Sequence, residues 1–280
     1  MKPKTLASLE AIEPLHFADQ LDSGKYLILD VSSSSTYRRM HLPKAQHIAP
    51  RELMRGIPPA SGLLPSMTHL GRVFARVGYE KDRPVLVYDD EGGGWAGRLI
   101  WTLDLLGHQN MAFLDGGLYA WSAARLPLSR TVATVQKTTP DVGVVNPFVR
   151  ATIEEVLAGL NSDMVLWDAR SAEEYSGERQ LALRAGHIPG AIHLEWTDVI
   201  DHHRQLRIRK DLADLLERSG LGRTRQIVTY CHSHHRSGLT YLAARLLGYP
   251  FIRAYDGSWS QWGNRYDTPI QSSSNRQNQP

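Results

Sequence analysis

The feature that most restricts the possible folds is an internal duplication, because the two halves of the chain carry the same short motifs in the same order. Three matched pairs are residues 26–31 (YLILDV) with 164–169 (MVLWDA), 41–48 (HLPKAQHI) with 187–194 (HIPGAIHL), and 85–88 (VLVY) with 227–230 (IVTY). The second copy has extra residues around 176–183, and an insertion of this kind belongs in a surface loop. The sequence therefore predicts two copies of one domain.

Each copy alternates short apolar runs with amphipathic segments, which predicts an α/β domain. The apolar runs indicate buried parallel strands, and Thr152 with Glu155 has the spacing of a capping box at the start of a helix. We therefore expect two tandem domains, each a mostly parallel sheet flanked by helices. The predicted boundaries are 1–130 for the first domain, 131–147 for a linker, 148–270 for the second domain and 271–280 for a polar, disordered tail.

Composition restricts the partners of this chain. The net charge of +3 arises from 32 basic and 29 acidic residues that are interspersed, without the Lys/Arg block typical of a nucleic-acid-binding segment. The sequence has no apolar run of about 18 residues and no signal-peptide pattern near its start, so we expect a soluble, cytoplasmic protein that does not contact a membrane. Two fused copies already form an internal pseudo-dimer, and we expect a monomer.

The single cysteine, Cys231, lies between a predicted strand at 227–230 and a predicted helix at 238–247. In doubly wound sheets, a strand-to-helix turn of this kind lies at the edge where ligands bind. Six polar residues follow the thiol: His232, Ser233, His234, His235, Arg236 and Ser237. We expect the charge of Arg236, positive charge on the three imidazoles and the dipole of the following helix to favour a thiolate, so the pattern predicts Cys231 as a nucleophile.

The first copy differs at the same position. Asp89 stands where the second copy has Cys231, and residues 89–95 (DDEGGGW) form an acidic, glycine-rich loop. Carboxylates repel a thiolate and an anionic donor. We therefore expect the first domain to be inactive and the second to be catalytic.

The cysteine loop, the Asp168-x-Arg170 pattern and the GHIPGA motif at residues 186–191 together resemble rhodanese. The resemblance extends over nearly the whole chain, and the loop is similar to that of a bacterial subgroup of two-domain thiosulfate:cyanide sulfurtransferases with a Cys-x-x-His-His-Arg sequence. It implies that a small-molecule donor passes sulfur to Cys231, which forms a persulfide and hands the sulfur to cyanide or another thiophilic acceptor. The resemblance implies no metal and no organic cofactor.

The remaining site residues are predicted around this thiol. Arg236 and the other residues of the 232–237 loop are expected to bind substrate, with Arg236 holding the departing anion. Asp168 and Arg170 are expected to pair and fix the edge of the pocket, and Trp196 to approach the loop. Animal rhodaneses, which this chain resembles, carry an arginine where it has Glu174, so positive charge for a dianionic donor is lost here.

Two other functions remain open at this level. A cysteine-dependent phosphatase also uses a thiolate, backbone amides and an arginine, but it needs a Cys-x5-Arg loop, whereas Cys231 and Arg236 form Cys-x4-Arg. A non-catalytic persulfide-binding module is the second alternative, and the altered loop of the first copy illustrates how the fold loses its thiol. The cationic loop around Cys231 favours the sulfurtransferase.

Overall fold

The structure is a computed structural model that describes residues 7–272. The first domain is a five-stranded sheet with the order β1-β5-β4-β2-β3, and every strand pair in it is parallel. Its strands are β1 (Ser8–Ile12), β2 (Leu27–Asp30), β3 (Gln46–His47), β4 (Val85–Tyr88) and β5 (Asn110–Leu114). Its helices are α1 (Pro14–Ala18), α2 (Ser34–Arg39), α3 (Met67–Arg76), α4 (Gly94–Leu106) and α5 (Gly117–Ala123).

The second domain repeats this plan with a four-stranded parallel sheet. The order is β11-β10-β6-β7, formed by β6 (Met164–Asp168), β7 (Ile192–His193), β10 (Gln226–Tyr230) and β11 (Ile252–Ala254). A small antiparallel pair, β8 (Ile200–Asp201) and β9 (Arg207–Ile208), lies outside this sheet. The helices are α6 (Ile153–Gly159), α7 (Ala172–Ser176), α8 (Leu212–Arg218), α9 (Arg236–Leu246) and α10 (Ser258–Trp262).

The predicted fold class is confirmed: two domains, each with a parallel sheet flanked by helices. The central strands β2 and β4 are buried along their whole length, as expected for strands covered on both faces. The capping box is also present, because the Glu155 N–H donates to the Thr152 hydroxyl and the Thr152 N–H donates to the Glu155 carboxylate. Within residues 7–272, no helix is both long enough and apolar enough to cross a bilayer.

Two local expectations need correction. Helix α9 begins at Arg236, two residues before the predicted start, because His234 adopts a left-handed conformation (φ 57°) that turns the chain early. The predicted disordered tail, 271–280, lies mostly outside the described residues. Gln271 and Ser272 are ordered, since Gln271 pairs with the His187 backbone and the Ser272 hydroxyl donates to a carbonyl oxygen.

Of the predicted linker, 131–147, residues 131–146 have no helix or strand and run along the first domain, and Pro147 begins a short 3₁₀ helix. Its backbone is held at several points: the amide of Gln46 donates to the carbonyl of Ala133 at 2.8 Å, and the hydroxyl of Thr138 donates to the carbonyl of Tyr79 at 2.8 Å. These contacts fix the path by which the chain reaches the second domain.

The two domains meet along helices α4 and α9, which cross at a pair of glycines. A Cβ atom on Gly97 would lie 2.1 Å from the carbonyl oxygen of Gly238, and one on Gly238 would lie 2.5 Å from the carbonyl oxygen of Gly94. The helix backbones therefore touch, and only glycine fits at the crossing. Close approach also brings the N-termini of both helices together.

A reciprocal pair of contacts gives this interface approximate two-fold character. Asp115 of the first copy accepts a hydrogen bond from the N–H of Ile208 in the second, at 2.9 Å. Asp256, the equivalent residue of the second copy, accepts one from the N–H of Leu64 in the first, at 2.8 Å. The duplicated aspartates thus bind equivalent segments of opposite domains, as in an isologous dimer.

A buried ion pair also joins the two helices. Asp104 on α4 accepts hydrogen bonds from the Arg245 guanidinium (2.8 and 3.0 Å) and from the Tyr241 hydroxyl (2.8 Å), both on α9. The Asp104 and Arg245 side chains are 1% and 5% exposed. Removing one partner would therefore leave a buried charge unpaired.

We expect Asp104→Leu to lower the free energy of unfolding by about 3–5 kcal/mol, because it leaves Arg245 buried without its partner. The double variant Asp104→Leu/Arg245→Met removes both charges and should be less destabilised than the single one. Urea unfolding of both variants measures the difference. A single variant that is no less stable than the double one would show that the pair does not hold the interface.

Candidate active site

The thiol of Cys231 lies at the carboxyl end of β10, with 1% of the residue exposed. Its own N–H donates to the hydroxyl of Ser258 at 3.3 Å, and its carbonyl accepts from the N–H of Trp259 at 2.9 Å. These bonds fix the backbone of Cys231 between the strand and the following turn. The thiol therefore has a defined position at the ligand-binding edge that the sequence predicted.

A hydrogen-bond relay reaches the sulfur from the loop. The Ser237 hydroxyl donates to the Cys231 Sγ at 3.5 Å, and the Ser237 Oγ lies 2.8 Å from the Nδ1 of His234. Because the Ser237 proton points to sulfur, His234 donates from Nδ1. This arrangement favours the anionic form of the sulfur.

The loop also forms a nest of backbone donors. Within residues 7–272, the N–H groups of residues 232–235 have no acceptor, and they precede the N-terminus of α9. Unpaired N–H groups at the start of a helix bind anions. The nest is therefore suited to a sulfur anion or an anionic donor.

The equivalent loop of the first domain shows how such a nest is filled. The Asp89 carboxylate accepts hydrogen bonds from the N–H groups of Glu91 (3.1 Å), Gly93 (2.9 Å) and Ala96 (3.0 Å). Asp89 is fully buried. In this copy the carboxyl group of Asp89 occupies the place of the nucleophile and accepts from three N–H groups of the turn, which adds a physical reason for the predicted inactivity.

Arg236 pairs with Glu174. Both terminal nitrogens of its guanidinium donate to the carboxylate, one of them at 2.9 Å, and Glu174 is 2% exposed. Burial alone would raise the pKa of Glu174, but the hydrogen bond and charge of Arg236 and the charge of Arg170 hold it below its usual value. The fork that was expected to bind the departing anion is therefore occupied by a carboxylate from α7.

Asp168 and Arg170 pair as expected, in a network that is almost fully buried. Arg170 donates to both oxygens of Asp168 (2.6–3.1 Å) and to the carbonyl of Gly186 (2.8 Å). The Tyr230 hydroxyl donates to Asp168 at 2.6 Å, and the guanidinium of Arg170 lies 4.4 Å from the ring of Trp259. The network ties the strand before Cys231 to the GHIPGA motif, which is a structural task.

The three histidines of the loop differ in charge. Burial lowers the pKa of His232, helped by the charges of Arg236 and Arg170, and it lowers the pKa of His234 well below the usual range. These two rings are therefore neutral near pH 7. The expectation that all three imidazoles add positive charge to the loop is wrong for His232 and His234, because the fold buries His234 fully and His232 in part.

His235 has a partner that sequence reasoning missed. Its Nε2 forms a short hydrogen bond with the carboxylate of Glu91 in the first domain. Its ring stacks on Trp95 at 4.3 Å and lies 5.5 Å from Trp196, which thus approaches the loop as predicted. Burial would lower the pKa of His235, but the hydrogen bond and charge of Glu91 and the charge of Cys231 raise it.

Residues of the first domain also pack against the Cys231 loop. Arg98 is fully buried and donates to the carbonyl of Leu53 at 2.7 Å. Its guanidinium lies 4.8 Å from the ring of Trp101. The ring of Trp101 in turn meets the ring of His234 edge-on, with 4.6 Å between the ring centroids. Burial lowers the pKa of Arg98 to about 10. The sequence did contain a signal for Arg98, namely an arginine within a mostly apolar helical segment. Ser233, in turn, is covered by the backbone of residue 62.

These surroundings decide the ionisation of the thiol. Burial raises the pKa of Cys231, but the charge of Arg236 opposes it, and so do the hydrogen bonds from the side chain and N–H of Ser237 and the charge of His235. The balance holds the pKa of Cys231 below its ordinary value. The predicted thiolate is thus stabilised mainly by Arg236, Ser237 and His235.

A thiol of lowered pKa that directly precedes a loop of unpaired N–H groups, on a duplicated α/β scaffold, is typical of a thiolate-dependent transferase. Residues 13–124 and 152–265 each match the Rhodanese-like domain, and the chain belongs to the rhodanese family. It is 44% identical to thiosulfate sulfurtransferases of Pseudomonas aeruginosa and Azotobacter vinelandii, over 93% of this chain and 96% of each relative. The predicted class, a rhodanese-type sulfurtransferase, is confirmed by these matches.

Two more distant relatives show how widely this architecture is used. The sulfur carrier protein TtuD of Thermus thermophilus is 29% identical over 96% of both chains. The anaerobic ergothioneine biosynthesis enzyme of Chlorobium limicola superposes with a TM-score of 0.83 at 23% identity, covering 94% of this chain and 70% of that one. The second likeness concerns the fold alone.

Proposed function

We propose that this chain takes sulfane sulfur from thiosulfate and delivers it to cyanide or another thiophilic acceptor through a persulfide on Cys231. The observation that carries the proposal is a thiol of lowered pKa directly before a loop whose N–H donors at residues 232–235 have no acceptor within residues 7–272. The relatives at 44% identity are thiosulfate sulfurtransferases, which supports thiosulfate as the donor.

In the first half-reaction the Cys231 thiolate attacks the outer sulfur of thiosulfate. A sulfur–sulfur bond forms to Cys231, the bond between the two sulfurs of thiosulfate breaks, and sulfite leaves with the electron pair. The persulfide keeps one negative charge, which the N–H nest and the helix N-terminus stabilise. Because Arg236 is engaged by Glu174, its task is to hold the loop and stabilise the sulfur anion.

In the second half-reaction cyanide attacks the outer sulfur of the persulfide. A carbon–sulfur bond forms, the sulfur–sulfur bond breaks, and thiocyanate leaves while the thiolate of Cys231 is restored. The same donors stabilise the charge in both steps, so the site returns to its starting state without a cofactor.

The two domains have different roles in this chemistry. We propose that residues 148–270 are the catalytic domain and that residues 1–130 form a non-catalytic domain, since Asp89 occupies the nucleophile position there. We further propose a monomer that acts on small molecules in the cytoplasm, where a single free cysteine stays reduced.

The phosphatase alternative is disfavoured by the occupied arginine. A phosphatase needs a free guanidinium fork to wrap the phosphoryl oxygens, whereas the fork of Arg236 is bound by the buried carboxylate of Glu174. That carboxylate would also repel a phosphate dianion. A persulfide needs only one sulfur to fit the nest.

The proposal is tested by intact-mass measurement. Incubation with thiosulfate should add one sulfur, roughly 32 Da, and cyanide should remove it with formation of thiocyanate. Phosphate release from an aryl phosphate, assayed in parallel, should stay at background. A mass that does not change with thiosulfate, or an adduct that cyanide leaves in place, would overturn the proposed function.

A further inference from the structure

The non-catalytic domain places one carboxylate against the catalytic loop. Glu91 lies in the acidic turn before α4, and its side chain reaches across the interface to the Nε2 of His235. The turn is held in shape by Asp89, which accepts hydrogen bonds from the N–H groups of Glu91 and Gly93. Glu91 is thus fixed by the same carboxylate that replaces the nucleophile in this copy.

Glu91 and His235 can approach each other because residue 94 is a glycine and has no side chain between them. A Cβ atom on Gly94 would lie 2.6 Å from the Oε1 of Glu91 and 2.6 Å from the Nε2 of His235. The ring of His235 is further confined by Trp95 of the first domain and Trp196 of the second. Both domains therefore contribute to the position of this imidazole.

We propose that Glu91 is a positioning residue for sulfur transfer: it holds His235, a residue of the Cys231 loop, as a cation. The non-catalytic domain thereby completes the active site. The inference rests on the proposed function and adds a role for the first domain. Among the described residues, the Glu91 side chain has no hydrogen bond to the thiol, and in this proposal it acts through His235. Since the paired carboxylate lies across the interface, the charge of the loop depends on domain docking.

The charged groups around His235 determine the sign of the effect. Glu91 and Asp89 face it from the first domain, and Cys231 faces it from the loop; all three favour the protonated ring. The neutral His234 lies beside it. A histidine whose pKa is raised on folding stabilises the folded state fully below the unfolded value, about 6.5, and this contribution is lost as pH rises through the raised value.

The test is Glu91→Gln, with Asp90→Asn as the matched control. Asp90 lies in the same turn, and its carboxylate has no hydrogen-bond partner in the described part of the chain. In Glu91→Gln, the ring of His235 should lose its proton at lower pH, so the pKa of the Cys231 thiol should rise. Removing a nearby negative charge without affecting His235 would by itself lower the thiol pKa. Asp90→Asn should therefore leave the pKa of Cys231 unchanged or slightly lower.

Two measurements separate the outcomes. The pH dependence of alkylation by iodoacetamide gives the thiol midpoint, and we expect a rise of about one pH unit and about a tenfold slower persulfide loading from thiosulfate at neutral pH. Nitrogen NMR of the imidazoles, with His235→Gln used to assign the signal, gives the charge of His235. The double variant Glu91→Gln/His235→Gln should be no slower than His235→Gln alone.

The failures are distinguishable. If the parent protein does not load sulfur from thiosulfate, the proposed function fails, whatever the variants do. If the parent loads sulfur but Glu91→Gln keeps the parent's His235 signal, thiol midpoint and loading rate, the positioning role is wrong. A loss that is equal at every pH and leaves the His235 signal unchanged would also overturn it, because it would show a purely structural effect.

Discussion

Replacing Cys231 by serine should reduce thiocyanate formation by about 10³-fold or more, to the rate without enzyme. The serine hydroxyl has nearly the size of the thiol but is not ionised near neutral pH, so the buried site would hold a neutral group in place of the thiolate. The variant should fold, since the hydroxyl can accept the hydrogen bond that Ser237 now donates to sulfur. Steady-state thiocyanate formation measures the loss, and circular dichroism checks the fold.

The control moves the thiol to another place. Cys231→Ser/Tyr119→Cys again has one cysteine, at a position where the parent side chain is 55% exposed, and it should remain as inactive as Cys231→Ser. An exposed thiol lacks the N–H nest and the cationic partners. Recovery of activity in this double variant would mean that any thiol suffices and that the geometry of the loop is irrelevant.

The second largest effect is expected for Arg236→Met. Arg236 is the strongest of the groups that lower the pKa of Cys231, and its loss leaves the carboxylate of Glu174 buried and unpaired beside the loop. Both changes raise the pKa of the thiol, so the thiolate fraction near pH 7 should fall. We expect the rate constant for persulfide loading to fall about 100-fold, the range found when one donor to a developing anion is removed.

The matched variant is Arg236→Met/Glu174→Met, which removes both charges. Its rate constant for persulfide loading should be about tenfold higher than that of Arg236→Met, because a buried unpaired carboxylate costs more than an absent pair. Persulfide loading followed by intact mass over a range of pH separates the two variants. If the double variant is as slow as the single one, Arg236 acts by contacting the donor directly, and its pairing with Glu174 is incidental.

The two copies place different ionisable groups at the same position, between a strand and the following helix. In the first domain the carboxyl group of Asp89 accepts hydrogen bonds from three N–H groups, whereas in the second the corresponding place belongs to the sulfur of Cys231. Burial and the charge of Glu91 raise the pKa of Asp89 to about 7. The carboxyl group of Asp89 is part of the chain and cannot leave as a substrate anion does. Its role is to stabilise the turn that presents Glu91. In the mechanism that we propose, the copy without a thiol thus contributes to the active site of the other.

The sequence alone determined the duplication, the parallel α/β fold, the position of Cys231 in a strand-to-helix turn and the pairing of Asp168 with Arg170. These features depend on local periodicity and on spacing along the chain, which the order of residues contains directly. The start of α9 was placed two residues late, because the left-handed conformation of His234 leaves no mark in a pattern of apolar residues.

Only the tertiary structure decided which charges surround the thiol. The carboxylates that pair with Arg236 and His235 are 62 and 144 residues away along the chain, and the second of them comes from the other domain. The neutrality of His232 and His234 follows from burial, which depends on how the two domains pack. Electrostatic interactions act through space and depend on desolvation, so residue types along the chain identified the charged groups while the fold determined their partners and their ionisation.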